Sequence, residues 1–208
     1  INLFIQQPAL CLMKIAGYQD SGASVPAWRG TSVDRALTKV AFEPDTSDDD
    51  LIDIAYKVFD ENCTASIDKP DEDKVDKART ALLGYVRSGA KFYRSLKQTP
   101  ESEQGKVVVR IGDIQTPFVG YYDLLYKDQV RDIKSSGRKV SSLATTAARQ
   151  ASIYALGTGC EPWIDYITTK EVNSYRVDKV DYWLRQVELA TNSLQRILSH
   201  ADDLLDWC

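Results

Sequence analysis

Residues 120–137 read GYYDLLYKDQVRDIKSSG, and their pattern decides the fold of this part of the chain. Apolar stretches on both sides of Lys127-Asp128 indicate two strands joined by a tight turn, which makes an antiparallel hairpin. Side chains on a strand alternate between its two faces, so Asp132 and Lys134 should point the same way. Asp123 lies on the partner strand. The stretch therefore predicts two carboxylates and one ammonium group that converge on a rigid scaffold.

This convergence has a chemical interpretation and a structural one. Hard cations such as Mg²⁺ prefer carboxylate oxygens and leave room for a phosphate, and the carbonyl of Ile133 would be an extra ligand. A metal held by Asp123 and Asp132 lowers the pKa of bound water, and Lys134 would orient or deprotonate that water and offset developing charge. The alternative is a surface hairpin with an intrastrand salt bridge. Val130 and Ile133 look buried, which favours a site at the edge of a core.

Hydrophobic periodicity outlines the remaining elements. Helical spacing predicts helices over 3–15, 28–41, 48–61 and 75–96, followed by a polar linker at 98–105. Strands are predicted over 106–111, 118–126, 129–134, 163–169 and 174–177. Two further helices are predicted over 143–156, closed by Gly157 and Gly159, and over 180–197. This order predicts an α/β fold with a central mixed β-sheet flanked by helices and an N-terminal helical elaboration.

The chain of 208 residues is long enough for a single domain, 1–208. We expect a mainly helical part at 1–98, the site-bearing strands and helix at 105–178, and C-terminal helices at 180–208. No apolar run approaches the ~18 residues of a membrane span, so no membrane contact is expected. Residues 1–5 lack an initiator Met and a basic region, which predicts no signal peptide. The missing Met, and an end inside a helical pattern, indicate that one or both termini were trimmed.

Charge is distributed unevenly along the chain. The net charge is −4, but residues 43–76 hold thirteen acids and three bases, and the remainder carries more bases than acids. Segment 127–149 is locally basic, and its bases are Lys127, Arg131, Lys134, Arg138, Lys139 and Arg149. Arg138, Lys139 and Arg149 are therefore candidate DNA-phosphate contacts, with the acidic segment facing elsewhere. The alternative is a solvated surface of mixed charge.

Other chemistries have little support. His200 is the only histidine, and no nucleophile elbow accompanies it, which disfavours a Ser-His-Asp or Cys-His site. The four cysteines are far apart and form no C-x-x-C pair, so they predict buried or free thiols in a reducing cytoplasm. The sequence contains no Walker loop and no G-x-G-x-x-G motif, so it lacks the sequence signature of an ATPase.

Three motifs resemble one nuclease family. Gly120-x-x-Asp123 followed by Asp132-Ile-Lys134 is similar to the central motif of RecB-like exonucleases in the PD-(D/E)xK superfamily. Gln150-Ala-Ser-Ile-Tyr154 matches the Q-x-x-x-Y motif of that branch, and Gly30 with Asp34 resembles its G-x-x-x-(H/E) helix motif. Tyr122 replaces the family's Pro, and Asp34 stands where relatives carry His or Glu. The resemblance spans about residues 3–177, and residues 1–14 are similar to the N-termini of phage nucleases of this branch.

The resemblance implies a PD-(D/E)xK restriction-endonuclease-like core and a metal-dependent DNA exonuclease of phage or bacterial DNA recombination, repair or degradation. The implied cofactor is Mg²⁺ or Mn²⁺, two ions, held by Asp34, Asp123, Asp132 and the Ile133 carbonyl. Gln150 would contact DNA phosphate or a metal-bound water, and Tyr154 would keep its ring buried and its hydroxyl free.

Several points stay open at this stage. A structure-specific or single-strand endonuclease on the same site and an inactive DNA-binding module are the alternatives. A homo-oligomer or a phage recombination partner is also open, and the expected location is the cytoplasm, or the host cytoplasm if the protein is phage-encoded. Some relatives hold an iron–sulfur cluster with one early and several late cysteines. Cys11 and Cys208 stand at suitable ends, but the other late ligands are absent, so no cluster is expected.

Overall fold

The computed structural model describes residues 1–18, 24–66 and 70–200. The helices in chain order are α1 (Asn2–Gln6), α2 (Pro8–Ile15), α3 (Val25–Phe42), α4 (Asp48–Ala65), α5 (Glu72–Leu96), α6 (Thr145–Thr158) and α7 (Val180–His200). The strands are β1 (Ser102–Glu103), β2 (Lys106–Val109), β3 (Phe118–Tyr121), β4 (Leu124–Leu125), β5 (Gln129–Ser135), β6 (Glu161–Ile167) and β7 (Val172–Arg176). The end of the predicted C-terminal part, 201–208 with Cys208, lies outside the described residues.

Local signals place the helix ends. Ser47 caps α4 by accepting a hydrogen bond from the backbone N–H of Asp50, and Asp71 caps α5 in the same way. The predicted helix over 3–15 is wrong as one element: it breaks at Gln7, and α2 begins at Pro8, which has no N–H to continue α1. The helix predicted over 143–156 is confirmed as α6, but only Gly159 closes it, with a φ of 74°, whereas Gly157 lies within the helix.

Five strands form the central sheet in the order β1-β4-β5-β6-β7. β5 and β6 run parallel through the crossover helix α6, and the other neighbours are antiparallel, so the sheet is mixed. The hairpin of β4 and β5 is confirmed: Leu124 pairs with Arg131 and Leu125 with Val130 around the turn at 127–128. This register fixes the positions of the residues on β5.

The single strand predicted over 118–126 is wrong. β3 pairs with β2 in a separate two-stranded sheet, whereas β4 belongs to the central sheet. The chain passes from one sheet to the other at Tyr122, whose N–H donates to the carbonyl of Gly105 and whose ring is buried. A Cβ on Gly105 would lie 2.0 Å from that ring, so only glycine leaves room for the crossing. β1 lies inside the predicted linker at 98–105.

Helices cover both faces of the central sheet. On one face, α3, α4 and α5 share the largest hydrophobic cluster with sheet residues such as Ile133 and Ile167. On the other face, α6 packs on β6 through Ala148, Ala151 and Ile164, and α7 lies against α6. The predicted α/β arrangement of a mixed sheet flanked by helices is thus confirmed. Of the helices in the described ranges, none combines the length and apolar character needed to cross a bilayer.

Candidate active site

Asp123, Asp132 and Lys134 meet at the hairpin, as the strand alternation predicted. Asp132 and Lys134 lie two residues apart on β5, and the Lys134 Nζ is 2.8 Å from Oδ2 of Asp132. Asp132 is only 2% exposed. Asp123 directly precedes β4, and its Oδ2 accepts a 2.6 Å hydrogen bond from the backbone N–H of Ile133. The two carboxyl groups are therefore held by adjacent strands rather than by a free loop.

Asp34 joins this pair from helix α3. Gly30, one helical turn earlier, faces β5, because a Cβ at this position would lie 3.7 Å from the Ser135 hydroxyl. This position places α3 beside the strand that carries Asp132 and Lys134, and Asp34 lies one helical turn after Gly30. A contact of 3.7 Å is an ordinary van der Waals distance, so the packing here does not require glycine.

Gln104 connects Asp34 to Asp123. Its side-chain Nε2 donates to Oδ2 of Asp34 at 3.1 Å and to Oδ1 of Asp123 at 3.2 Å, and its backbone N–H donates to the carbonyl of Asp123. Gln104 adopts a left-handed φ of 47° between β1 and β2. Sequence reasoning missed this residue because it lies in the predicted linker and belongs to no motif.

Of the three carboxyl groups, Asp132 is buried, and Asp34 and Asp123 are half-buried. Burial and the neighbouring Asp132 raise the pKa of Asp34 to about 6. Burial and the charge of Asp34 raise the pKa of Asp123 to about 7. Burial also raises the pKa of Asp132 to about 7, against the opposing charge of Lys134. Part of this cluster is therefore protonated near neutral pH when no cation other than Lys134 is present.

Lys134 is held in its charged form. Burial acts to lower its pKa, but the charge of Asp132, the hydrogen bond to it and the charge of Asp123 outweigh burial and raise the pKa. The predicted role of Lys134 as a base requires a lowered pKa, and in the metal-free site the neighbouring carboxyl groups act in the opposite direction. An ammonium that stabilises negative charge agrees better with these contacts.

The donor set of this cluster suits a hard divalent cation. Carboxylate oxygens are the ligands that Mg²⁺ prefers, and Oδ1 of Asp34 is buried without a hydrogen-bond partner in the described part of the chain. As the side chains stand, no three acidic, histidine or cysteine residues of the described ranges are arranged to chelate an ion. Lys134, the Ile133 N–H and the Gln104 amide contact four other oxygens of these carboxyl groups: Oδ2 of Asp34, both oxygens of Asp123 and Oδ2 of Asp132.

Gln150 and Tyr154 lie one turn apart on α6, and the Gln150 amide donates to the Tyr154 hydroxyl. The Tyr154 ring is buried, as predicted, but its hydroxyl is not free. A Cβ on Gly120 would lie 2.7 Å from this ring, which explains why glycine starts the G-x-x-D motif. Burial and the charge of Asp132 raise the Tyr154 pKa, so the ring lies within the electrostatic reach of the cluster.

The three predicted DNA contacts differ in placement. Arg138 and Lys139 are exposed in the loop after β5, where Lys139 forms a 2.9 Å ion pair with Glu171. Arg149 is 5% exposed and donates to the side chains of Asn2 and Gln186. These hydrogen bonds connect α6 to α1 and α7. A buried guanidinium held in this way is poorly placed for the predicted contact with DNA phosphate.

Arg131 lies behind the sheet, although the sequence placed it in the basic segment. Its Nη1 donates to both carboxylate oxygens of Asp165 on β6, at 2.9 and 3.0 Å, and both side chains are buried. The Tyr93 hydroxyl of α5 donates to the same carboxylate at 2.9 Å. Because Arg131 precedes Asp132 on β5, this network supports the strand from the face opposite the acidic cluster.

Comparison with known proteins supports the fold. No family model matches the chain, and no curated protein matches it. Among solved structures, the chain is similar to a protein from Eubacterium rectale described as a candidate exonuclease, with a TM-score of 0.53 and 14% identity over 90% of this chain and 71% of that one. The likeness shows a shared fold. A second structure, of the protein SSO0001, matches at a TM-score of 0.39 and 14% identity over 98% and 90% of the chains, too low to support an argument.

Proposed function

We propose that this chain is a metal-dependent deoxyribonuclease of the PD-(D/E)xK superfamily, of the RecB-like exonuclease branch. The observation that carries the proposal is the convergence of Asp34, Asp123 and Asp132 with one charged lysine, Lys134, around the middle strand β5 of the central sheet. One buried and two half-buried carboxyl groups with raised pKa values form a functional-site pattern, because the single charge of Lys134 does not balance three carboxylates. The order of the sequence motifs and the fold shared with a candidate exonuclease add support.

Asp34, Asp123 and Asp132 would hold Mg²⁺ or Mn²⁺, with the carbonyl of Ile133 as a further ligand. When bound, the ion lowers the pKa of a water molecule and stabilises charge on the phosphoryl group. The buried position of Asp132 limits the competition from solvent water. Deprotonation of the carboxyl groups precedes this binding, because only the carboxylate is a ligand.

Lys134 acts as a fixed positive charge in this proposal. Its ammonium stays protonated beside Asp132 and offsets the negative charge that develops on a phosphoryl oxygen. Gln150 and Tyr154 form one wall next to the cluster, and their mutual hydrogen bond orients the Gln150 amide. The Gln150 amide is then available to contact a phosphate or an ordered water.

Digestion of end-labelled linear DNA, with closed circular single strands as the comparison, tests the proposal. We expect release of mononucleotides or short products from linear DNA with Mg²⁺ or Mn²⁺, and no release in EDTA. Full activity in the chelator contradicts the metal mechanism. Cleavage of the circular strands shows an endonuclease on the same site, which retains the site chemistry but overturns the exonuclease assignment.

A further inference from the structure

The two-stranded sheet of β2 and β3 presents an unusual outer face. In its antiparallel register, Lys106 lies opposite Tyr121 and Val108 opposite Val119. Directly opposite residues point to the same side, so these four side chains share one face. Val108, Val119 and Tyr121 are 56%, 55% and 55% exposed. The opposite face, with Val107 and Val109, is buried against α6.

The charge of this outer face is positive. Lys106 and the exposed Arg110, which directly follows β2, stand on the same side by strand alternation. Neither forms an ion pair with any residue of the described ranges, and β2 and β3 carry no acid. Four residues of strand separate the two cations by roughly 13 Å, so they can reach different phosphates of one nucleic acid strand.

A groove extends from this face to Tyr154, which packs against β5. Tyr121 lies two residues before Asp123 in the chain. Tyr121 also lines a groove of about 570 Å³ together with Gly120, Gln150 and Tyr154. Tyr154 packs with Val130, which lies two residues before Asp132 and therefore on the same face of β5. A strand bound on the outer face is thereby directed toward the carboxyl groups.

We propose that the outer face of β2 and β3 binds unpaired DNA, with a base stacked on Tyr121 and phosphates contacted by Lys106 and Arg110. This rests on the proposed function, since it supplies the path by which the substrate reaches the site. An exposed aromatic ring beside cations is the combination that single-stranded nucleic acid requires. A second copy of the chain fits less well, because symmetric pairing of this face would bring like charges together.

Binding of a labelled single-stranded oligonucleotide, measured by fluorescence anisotropy in EDTA to prevent cleavage, tests this surface. Tyr121→Ala should raise the Kd about ten-fold, and Tyr121→Phe should restore it, because stacking needs the ring and not the hydroxyl. The matched control is Tyr182→Ala, since Tyr182 on α7 is 54% exposed. Equal Kd values for the Tyr121→Ala and Tyr182→Ala variants overturn the proposal.

The contribution of Lys106 and Arg110 is measured separately, from the salt dependence of DNA binding. Lys106→Ala combined with Arg110→Ala should reduce the slope of log K against log salt concentration by about one or more. Lys91→Ala, an exposed lysine on α5, should leave the slope unchanged. The Tyr121→Ala change should lower the affinity for duplex DNA without unpaired ends less than the affinity for single strands, because the bases of a duplex are already stacked on one another. An equal loss for both substrates contradicts the stacking role.

The outcomes separate this inference from the proposed function. If wild-type protein binds DNA through Tyr121 but cleaves none with Mg²⁺, the surface stands and the nuclease assignment fails. If wild-type protein cleaves DNA while Tyr121→Ala binds normally, the nuclease stands and the surface is overturned. A change in sedimentation with Tyr121→Ala at unchanged DNA affinity assigns the face to a second copy and also overturns the proposal.

Discussion

The ammonium of Lys134 lies 2.8 Å from Oδ2 of Asp132, two residues earlier on the same face of β5. This contact supplies one positive charge to a cluster that also contains Asp34 and Asp123. Fully ionised, the cluster would carry two uncompensated negative charges in a largely buried position. The carboxyl groups therefore retain protons near neutral pH, and a bound divalent cation would replace those protons.

Metal affinity should therefore depend steeply on pH. Because the pKa values of Asp34, Asp123 and Asp132 are about 6, 7 and 7, protons compete with the ion below neutral pH. We expect the Mg²⁺ concentration for half-maximal activity to fall by about ten-fold or more between pH 6 and pH 8. Mg²⁺ titrations at each pH measure this change. A pH-independent midpoint contradicts the assignment of these carboxyl groups as ligands.

The metal-free protein should lose stability as pH rises through the same range. A raised pKa in the folded state means that the folded protein binds more protons than the unfolded chain between pH 4 and 7, so folding becomes less favourable across that window. Asp132→Asn removes one of these ionisations, and thermal melts in EDTA should show a smaller loss from pH 5 to pH 8 than for wild type. Asp49→Asn, at an exposed position, is the control. Equal losses in all three proteins exclude a buried acidic cluster of this kind.

Lys134 should act through its charge. Lys134→Gln should lower the cleavage rate by roughly 10²–10³-fold, as expected for loss of a preorganised positive donor. Lys134→Arg keeps the charge and cannot lose its proton in practice, so it should retain the shape of the wild-type pH–rate profile at a lower rate. Rates measured from pH 5 to 10 at saturating Mg²⁺ decide between the roles. A wild-type dependence on a deprotonated group that the Arg variant loses would restore the general-base role.

The acidic segment should not contact DNA, because its charge repels phosphate. Asp48 pairs with Arg94, and Asp50 takes part in the cap of α4, so changing either one also removes structural contacts. Asp49 and Asp53 are exposed on α4 and give a cleaner test. Asp49→Asn with Asp53→Asn should leave nuclease activity within a few-fold. A large gain or loss would place this segment at the DNA path.

Local patterns in the sequence predicted much of the molecule. The hairpin turn and the strand alternation placed Asp132 and Lys134 together, because a two-residue period leaves no other arrangement once the strand is known. Helical spacing predicted α4 and most of α5, although α5 begins at Glu72, three residues before the predicted start. The predicted burial of Val130 and Ile133 is confirmed.

The errors concern contacts between residues distant in sequence. Tyr122 separates two strands because β3 and β4 have different partners, which apolar runs do not reveal. Gln104 reaches Asp34 across seventy positions, and nothing near it in sequence indicates that contact. Arg131 was counted among the bases of segment 127–149, but its charge is paired with buried Asp165, a partner identified only by the parallel pairing of β5 with β6.

The most direct test of the account is the single-turnover cleavage rate of end-labelled DNA by Asp132→Asn in saturating Mg²⁺. The change removes one charged oxygen and leaves the shape of the side chain, and DNA affinity depends mainly on phosphate neutralisation by cations. We predict a rate at least roughly 10²–10³-fold below wild type, with the Kd for DNA in EDTA essentially unchanged. A variant that cleaves DNA at nearly the wild-type rate would contradict the account.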